Sequence, residues 1–396
     1  MSNLVFDLDI EGDYIDSFIY MGGFYLVDFD FNVKLYRWDE ICDYLEKRNG
    51  FKNKEIAKRQ FNFIKRSSSC LSRHYDEIRT SLTVSELDKL SSNCFEIGSY
   101  PSDINIFSKK LNYSCENGVF SVPVDTDKVS ILSDVKKKIF DLRCFAISPN
   151  VGGRIALAAG EEGVHTCIYG YNNRSKLDNE RQISTDDCVD IDWVNNYLLI
   201  NHRSSNVVVN EYEKTISKPY FIKNKQMLIN KLSSLGYEDS PALIAIKDDD
   251  INDGLIKKIS KFLLSCAPNE VNLEKKYCYS WSSGDYNFLI SENGIVDVYK
   301  DNLKISSDEF IKDRPSAFIK VRTSGCGTVI EDKNKLMMYS EDGLKFIDDN
   351  IVNWRVFPRA KVHAGHLHIV KDDYINVRVF NNEQSIFSSF LTNHEK

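Results

Sequence analysis

The 396-residue chain is 42% hydrophobic, 12% aromatic and 28% charged, a composition that fills a packed core and excludes global disorder. Its net charge of −7 opposes attraction of the whole molecule to nucleic acid or anionic lipid, leaving only a local basic patch to bind either. Ten cysteines occur with no C-x-x-C or comparable spacing, which excludes zinc ribbons and thioredoxin-like motifs.

Several of those cysteines, Cys94, Cys144, Cys167 and Cys188, stand at apolar strand positions where a thiol behaves as a small buried hydrophobe. The first residues, MSNLVFDLDIEGDY, are acidic and lack a basic n-region before an apolar core. No run of about 18 apolar residues is available to cross a bilayer. The expectation is a cytoplasmic protein with reduced thiols.

In chain order, residues 14–38 are dense in β-formers, with turns at Gly22-Gly23 and at Asp30 to Asn32. From residue 39 the period changes. Trp38, Ile41, Cys42 and Leu45 fall at helical spacing, and Ala57, Phe61 and Ile64 repeat it, so 39–92 reads as a helical insertion. Strand patterns return from Cys94, with turns at Pro101-Ser102-Asp103 and Glu116-Asn117-Gly118.

The stretch Cys144 to Tyr169 is a β-meander: two Gly-rich turns, Pro149 to Gly153 and Gly160 to Gly163, separate three apolar strands. No helix follows either turn, so neither offers the positive dipole that a phosphate loop needs. Another meander spans Asp187 to Glu213. A second α-rich insertion, 218–278, contains a helical run Asn224 to Leu235, a strand-like run Ala242 to Lys247 and a helix from Asp253 to Ser265. Three further meanders cover Tyr279 to Lys300, Ala317 to Ser340 and Gly343 to Phe380. The underlying period is about 40 residues, the size of a four-stranded propeller blade.

The phrase FAISPNVGGRIALAAGEEGVHTCIY resembles the blade signature of WD40/YVTN-like β-propellers, and FLISENGIVDVYK and MMYSEDGLKFID echo its second half. No Trp-Asp dipeptide closes a blade: Trp38-Asp39 is followed by helix. The resemblance implies an all-β fold, a single propeller over 1–396 with about seven four-stranded blades and two α-rich insertions. Closure requires the N-terminal strands to pair with the last blade, because an open propeller leaves reactive edges.

Site-like features are sparse. His363, His366 and His368 form the best-looking metal set, with His366 and His368 on one strand face, but strand-borne histidines are more commonly buried hydrogen-bonders. Asp248-Asp249-Asp250 precede a helix, where capping is favoured over metal binding in the absence of a Gly-rich phosphate loop. Glu161-Glu162 in a blade turn reads as solvated. Ser324-Gly325-Cys326-Gly327 reads as a hairpin turn and not a nucleophile site. No G-x-S-x-G, P-loop, G-x-G-x-x-G or H-E-x-x-H occurs, so no catalytic residue and no cofactor are assigned.

The strongest functional signal is basic. Lys47, Arg48, Lys52, Lys54, Lys58, Arg59, Lys65 and Arg66, eight cations against the single acid Glu55, leave +7 between positions 47 and 66. On a helix from Lys54 to Arg66, Ile56, Ala57, Phe61, Phe63 and Ile64 are expected to pack on the propeller and the cations to face an anionic partner. The reading is a non-catalytic scaffold or recognition subunit that binds protein partners through this face and the propeller faces. Two alternatives are nucleic-acid binding through Lys47 to Arg66, and an enzyme or small-ligand binder with its site at the channel mouth.

Overall fold

The computed structural model describes residues 2–48, 51, 53–66, 76–169, 177–214, 218–236, 252–309, 318–333, 335–340, 343–360 and 362–382. Strand-forming runs and Gly- or Asn-rich turns alternate through the chain as expected, and they fold into seven sheets, each built on an antiparallel meander. Blade 1 is Tyr14–Tyr20, Gly23–Asp28, Asn32–Arg37 and Ser91–Glu96; blade 2 starts at Asp103–Phe107, blade 3 at Ala146–Pro149 and blade 4 at Cys188–Val194. Blades 5 and 6 start at Tyr279–Ser283 and Phe318–Ser324. Blade 7 is Asn353–Val356, His366–Val370 and Tyr374–Asn382, and its fourth strand is the N-terminal Ser2–Glu11. The ring is therefore closed by the two ends of the chain, in a register that runs antiparallel from Ser2 opposite Asn382 to Glu11 opposite Tyr374.

The apolar cores lie between blades, because every sheet buries both of its faces. One cluster sits at each junction. Phe18 and Tyr25 meet Leu111 and Tyr113 at junction 1/2, Phe140 meets Ile155 at 2/3, Ala156 meets Trp193 at 3/4, and Leu199 meets Tyr299 at 4/5. Trp281 meets Val321 at 5/6, Met338 meets Leu367 at 6/7, and Val377 and Leu8 meet Phe24 at 7/1. Seven clusters for seven sheets leave no junction open.

Tryptophan fastens these junctions. Its indole N–H needs a partner when buried, and three of the four in the chain find one on the neighbouring blade: Trp193 donates to the Ser148 carbonyl at 2.8 Å, Trp281 to Thr323 Oγ1 at 2.8 Å, and Trp354 to Glu331 Oε2 at 2.7 Å. The fourth, Trp38, donates to the Ile64 carbonyl at 3.2 Å and so joins the two long helices of the first insertion.

Both insertions leave a blade after its third strand and return to form its fourth. The first contains α1 (Trp38–Arg48), α2 (Lys54–Arg66) and α3 (Val84–Asp88). It is less purely helical than its periodicity suggests. Ile78–Leu82 is a strand that lies parallel to the N-terminal strand, Phe6 opposite Ile78, as a fifth strand of blade 7. The second insertion contains α4 (Lys218–Lys223), α5 (Lys225–Ser234) and α6 (Asp253–Ser265), which share a small apolar core around Phe221, Leu232 and Ile259. It returns to blade 4 through a fourth strand of two residues, Asn269–Glu270. The strand-like run Ala242 to Lys247 lies outside the described residues.

Val5, Phe6, Leu8 and Ile10 of the closing strand are all buried, and burial of each such side chain is worth about 1.5–3 kcal/mol. Their sum is comparable with the whole stability of an ordinary domain, roughly 5–15 kcal/mol. Deletion of residues 2–11 is expected to give aggregated or unfolded protein by size-exclusion chromatography and circular dichroism, since it also bares the edge of Tyr374–Asn382. A monomer with an unchanged melting temperature would contradict closure by this strand.

Candidate functional site

The innermost strands put a set of charged side chains near the propeller axis, where an enzyme or ligand site would be expected to open. Asp190 and Asp192 alternate with Ile191 and Trp193 on the first strand of blade 4, so both carboxylates share one face. Arg322 on blade 6 reaches past blade 5 to Asp190, Nη2 to Oδ1 at 2.6 Å, and Tyr279 of blade 5 donates to the same carboxylate at 2.5 Å. Arg322 holds the Asp190 carboxyl below its usual range against the opposing effect of burial. On the other side of the ring Arg355 of blade 7 grips Asp16 of blade 1 with its side-on fork, Nε and Nη2 at 2.7 and 2.5 Å, and approaches Asp103 of blade 2 at 3.6 Å. Burial outweighs that approach and pushes the Asp103 carboxyl up.

Arg359, after the first strand of blade 7, donates to Asp192 at 3.1 Å and to the carbonyls of Trp193 and Pro149 at 2.6 and 2.9 Å. Blades 7 and 4 stand three places apart in a ring of seven, so this side chain crosses the axis. Lys320 has no carboxylate at this range. Its ammonium donates to the Trp354 carbonyl at 2.8 Å and lies 4.6 Å from that indole's centre, and burial with Arg355 and Arg322 nearby pushes it down to about 8. Asp16, Asp190 and Asp192 are thus each paired with an arginine of another blade. The arrangement ties blades together across the ring.

The basic insertion behaves differently. Helix α2 buries Ala57, Gln60, Phe61, Phe63 and Ile64, with the Gln60 amide bonded to the carbonyls of Val5 and Asp76, both at 2.8 Å. Ile56, expected on the packed side, is 48% exposed; it stands in the first turn of α2, on the same stripe as the buried Gln60 and Phe63. Two of the eight predicted cations are engaged: Arg48 with Glu86 at 2.9 Å and Lys65 with Asp43 at 2.5 Å. Glu86 also accepts from Tyr44 and closes the capping box of α3 with Thr83, which together hold its carboxyl down at about 2. Lys47, Lys54, Lys58, Arg59 and Arg66 are exposed and make no ion pair among the described residues. Lys52 lies outside the described residues. Lys54, Lys58, Arg59 and Arg66 occupy one continuous outer stripe of α2, interrupted only by Glu55 and Asn62.

The three histidines are brought together at the end of α2. His363, His366 and His368 are buried, with successive ring centres 4.9 and 5.8 Å apart. Among the described residues no three His, Cys, Asp or Glu side chains are grouped to hold a metal ion. Their partners are structural: His366 Nε2 meets the Ile64 carbonyl at the end of α2 at 3.3 Å, His368 Nδ1 meets Ser17 Oγ at 2.9 Å, and the His363 amide donates to the Arg66 carbonyl at 3.1 Å. The cluster is the socket that receives the C-terminal end of α2.

Cys326 and Glu161-Glu162 are the remaining candidates among the described residues. Cys326 is buried, and burial pushes its thiol up to about 12, so no thiolate is available. Glu161 and Glu162 face water. Asp248-Asp249-Asp250 lie outside the described residues, and the cap of α6 is Asn252, whose side chain accepts from the Leu255 amide at 2.9 Å. Sequence reasoning missed the axial ion pairs. Their signal was charge alternating with apolar residues in short strands, Asp190-Ile191-Asp192 and Lys320-Val321-Arg322.

No family model matches the chain, and no curated protein matches it. Among solved structures it is similar to the WD40 β-propeller domain of Doa1, with 9% identity and a TM-score of 0.45 over 97% of this chain and 94% of that one. It is also similar to the Dos1 propeller, with 9% identity and a TM-score of 0.43 over 90% and 75% of the two chains. A chain in the structure of BBS1N in complex with ARL6DN gives 7% identity and a TM-score of 0.48 over 97% and 98%. The closed ring of seven meanders makes this chain a β-propeller by its own topology.

The histidine socket makes stability depend on pH. Burial holds His363 down at about 4 and His368 at about 3, and pushes His366 well below its usual value; Arg355 adds to the effect on His368. The unfolded chain, with histidines near 6.5, therefore takes up protons before the folded one does. Stability is complete above about pH 6.5 and is lost progressively as pH falls from there to about 3 and below. Thermal melts between pH 8 and 4 are expected to show this decline, and His368→Phe, packed between Phe24 and Phe357, is expected to flatten it. An equal decline in the variant would exclude the socket as its source.

Proposed function

We propose that this chain is a non-catalytic recognition subunit that docks an acidic protein partner on the outer stripe of α2, with the propeller as its rigid support. The supporting observation is the contrast between its two sets of cations. The arginines near the axis are matched by carboxylates from other blades, whereas Lys54, Lys58, Arg59 and Arg66 have no ion pair among the described residues. The helix that carries them is locked at one end into the histidine socket and along its length against Phe6 and Trp38. A fixed, uncompensated positive stripe steers an anionic partner and sets its register.

Nine described cysteines are unpaired, which supports a reducing compartment such as the cytoplasm. No described helix is long and apolar enough to cross a membrane.

Reversal of Lys54, Lys58, Arg59 and Arg66 to Glu tests this reading, because all four side chains are solvated and the melting temperature is expected to stay within a few degrees. In affinity purification from cells expressing each form, a stoichiometric protein partner is expected with the wild type and not with the variant. If nucleic acid is recovered instead, with nuclease sensitivity and a binding constant falling steeply with salt, the helix is a nucleic-acid interface. Identical partners for both forms would remove α2 from recognition.

A further inference from the structure

Between blade 3 and the second insertion lies a small cleft. Its floor is the blade, through Arg154, Thr166 and Ile168, with Arg181 on the fourth strand; its roof is the C-terminal end of α6 with Cys266 and Pro268; Tyr212 forms one wall. Among the described residues no carboxylate lines it.

Arg154 is the unusual member. It is 4% exposed, and neither Nε nor Nη2 has a hydrogen-bond partner. These two nitrogens form the side-on fork of a guanidinium, the same pair with which Arg355 grips Asp16 elsewhere in the molecule. The guanidinium carbon lies 5.0 Å from the centre of the Tyr212 ring, which offers a π face but no acceptor in the plane of the fork. Tyr212 itself donates to Thr166 Oγ1 at 3.1 Å. Burial without a carboxylate partner lowers the Arg154 pKa to about 10.

Nothing around the cleft neutralises this charge by contact. Glu213, the nearest carboxylate felt by Arg154, is tied to Lys231. The Cys266 thiol is pushed up by burial and stays protonated at neutral pH. The carbonyl end of α6 contributes a partial negative charge, and its last turn is already engaged, the Phe262 carbonyl by Ser265 Oγ at 2.7 Å and by Cys266 Sγ at 3.5 Å. Arg181 brings a second guanidinium to the mouth.

We infer that this cleft is a binding site for a small oxyanion, a phosphate or carboxylate group, received by the side-on fork of Arg154 and faced at the mouth by Arg181. A planar fork pairs with two oxygens of such a group in parallel, charge-assisted hydrogen bonds. The anion supplies the two acceptors that the fork lacks and sits where blade 3 meets the second insertion, so its binding ties that insertion to the propeller.

Titration calorimetry on the full chain tests the site, with inorganic phosphate, acetate and sodium chloride as probes at matched ionic strength. Saturable one-to-one binding of phosphate or acetate, absent with chloride, is expected; the stronger of the two tells a phosphate site from a carboxylate site. Arg181→Gln, at the exposed mouth, is expected to fold normally and to weaken binding roughly tenfold, the effect of one charge-assisted hydrogen bond. Arg154→Gln is expected to abolish it. If Arg154→Gln does not fold, the wild-type and Arg181→Gln titrations still decide. No saturable heat with phosphate or acetate, or an Arg181→Gln titration identical to wild type, overturns the proposal.

Discussion

The structure depends on one seam, the junction where blade 7 meets blade 1. Six of the seven junctions form between sheets that follow one another in the chain; this one joins its two ends and carries the largest loop-closure entropy. Its reinforcement is correspondingly heavy. Nine residue pairs bring the N-terminal strand into register with the last strand, a parallel strand from the first insertion covers its other edge, and α1 and α2 pack their apolar faces onto the same cluster. The insertion is thus part of the closure and not an appendage. A helix held this firmly is suited to present charge, because little order remains to be lost when a partner binds.

Electrostatics divide the molecule into an inward and an outward set. Near the axis, charges of opposite sign from blades far apart in sequence are matched at 2.5–3.1 Å. Such buried pairs add little net stability over apolar replacements, yet losing one partner leaves an unpaired charge and costs roughly 3–5 kcal/mol. They therefore act to specify which blade stands where. A comparable economy operates inside blade 5, where Asp297 is fully enclosed yet accepts from Ser307 and Tyr277, both at 2.6 Å, and pairs with Lys275 and Lys304, which together hold its carboxyl down at about 2. Lys320 near the axis, the α2 stripe and Arg154 lack such matching among the described residues.

The blade pattern was legible in the sequence because a meander writes itself locally: apolar strand, Gly or Asn turn, apolar strand. Cys144 to Tyr169 shows this well, with Gly152, Gly153, Gly160 and Gly163 all at positive φ in its two turns. What was not legible was long-range. Pairing of the N-terminal strand with the last blade followed from the need for closure and is borne out, but Ile78–Leu82 is an ordinary β-former whose partner lies across an insertion, and the two-residue strand Asn269–Glu270 is too short to leave a period. The cationic side of α2 was readable from helical spacing, while the engagement of Arg48 and Lys65 was not, since Glu86 lies far along the chain and Asp43 on another helix. The three histidines were visible as a cluster, but only packing shows that they receive a helix end.

Hydrogen–deuterium exchange on the full chain tests the closed seam most directly. Amides of Ser2–Glu11, Ile78–Leu82 and Tyr374–Asn382 are expected to exchange together and as slowly as the inner strands of blades 3 to 6, opening only with global unfolding. Rapid exchange in Ser2–Glu11 while the other blades remain protected would contradict the account, because the ring would then be open and α2 would lose its fixed support.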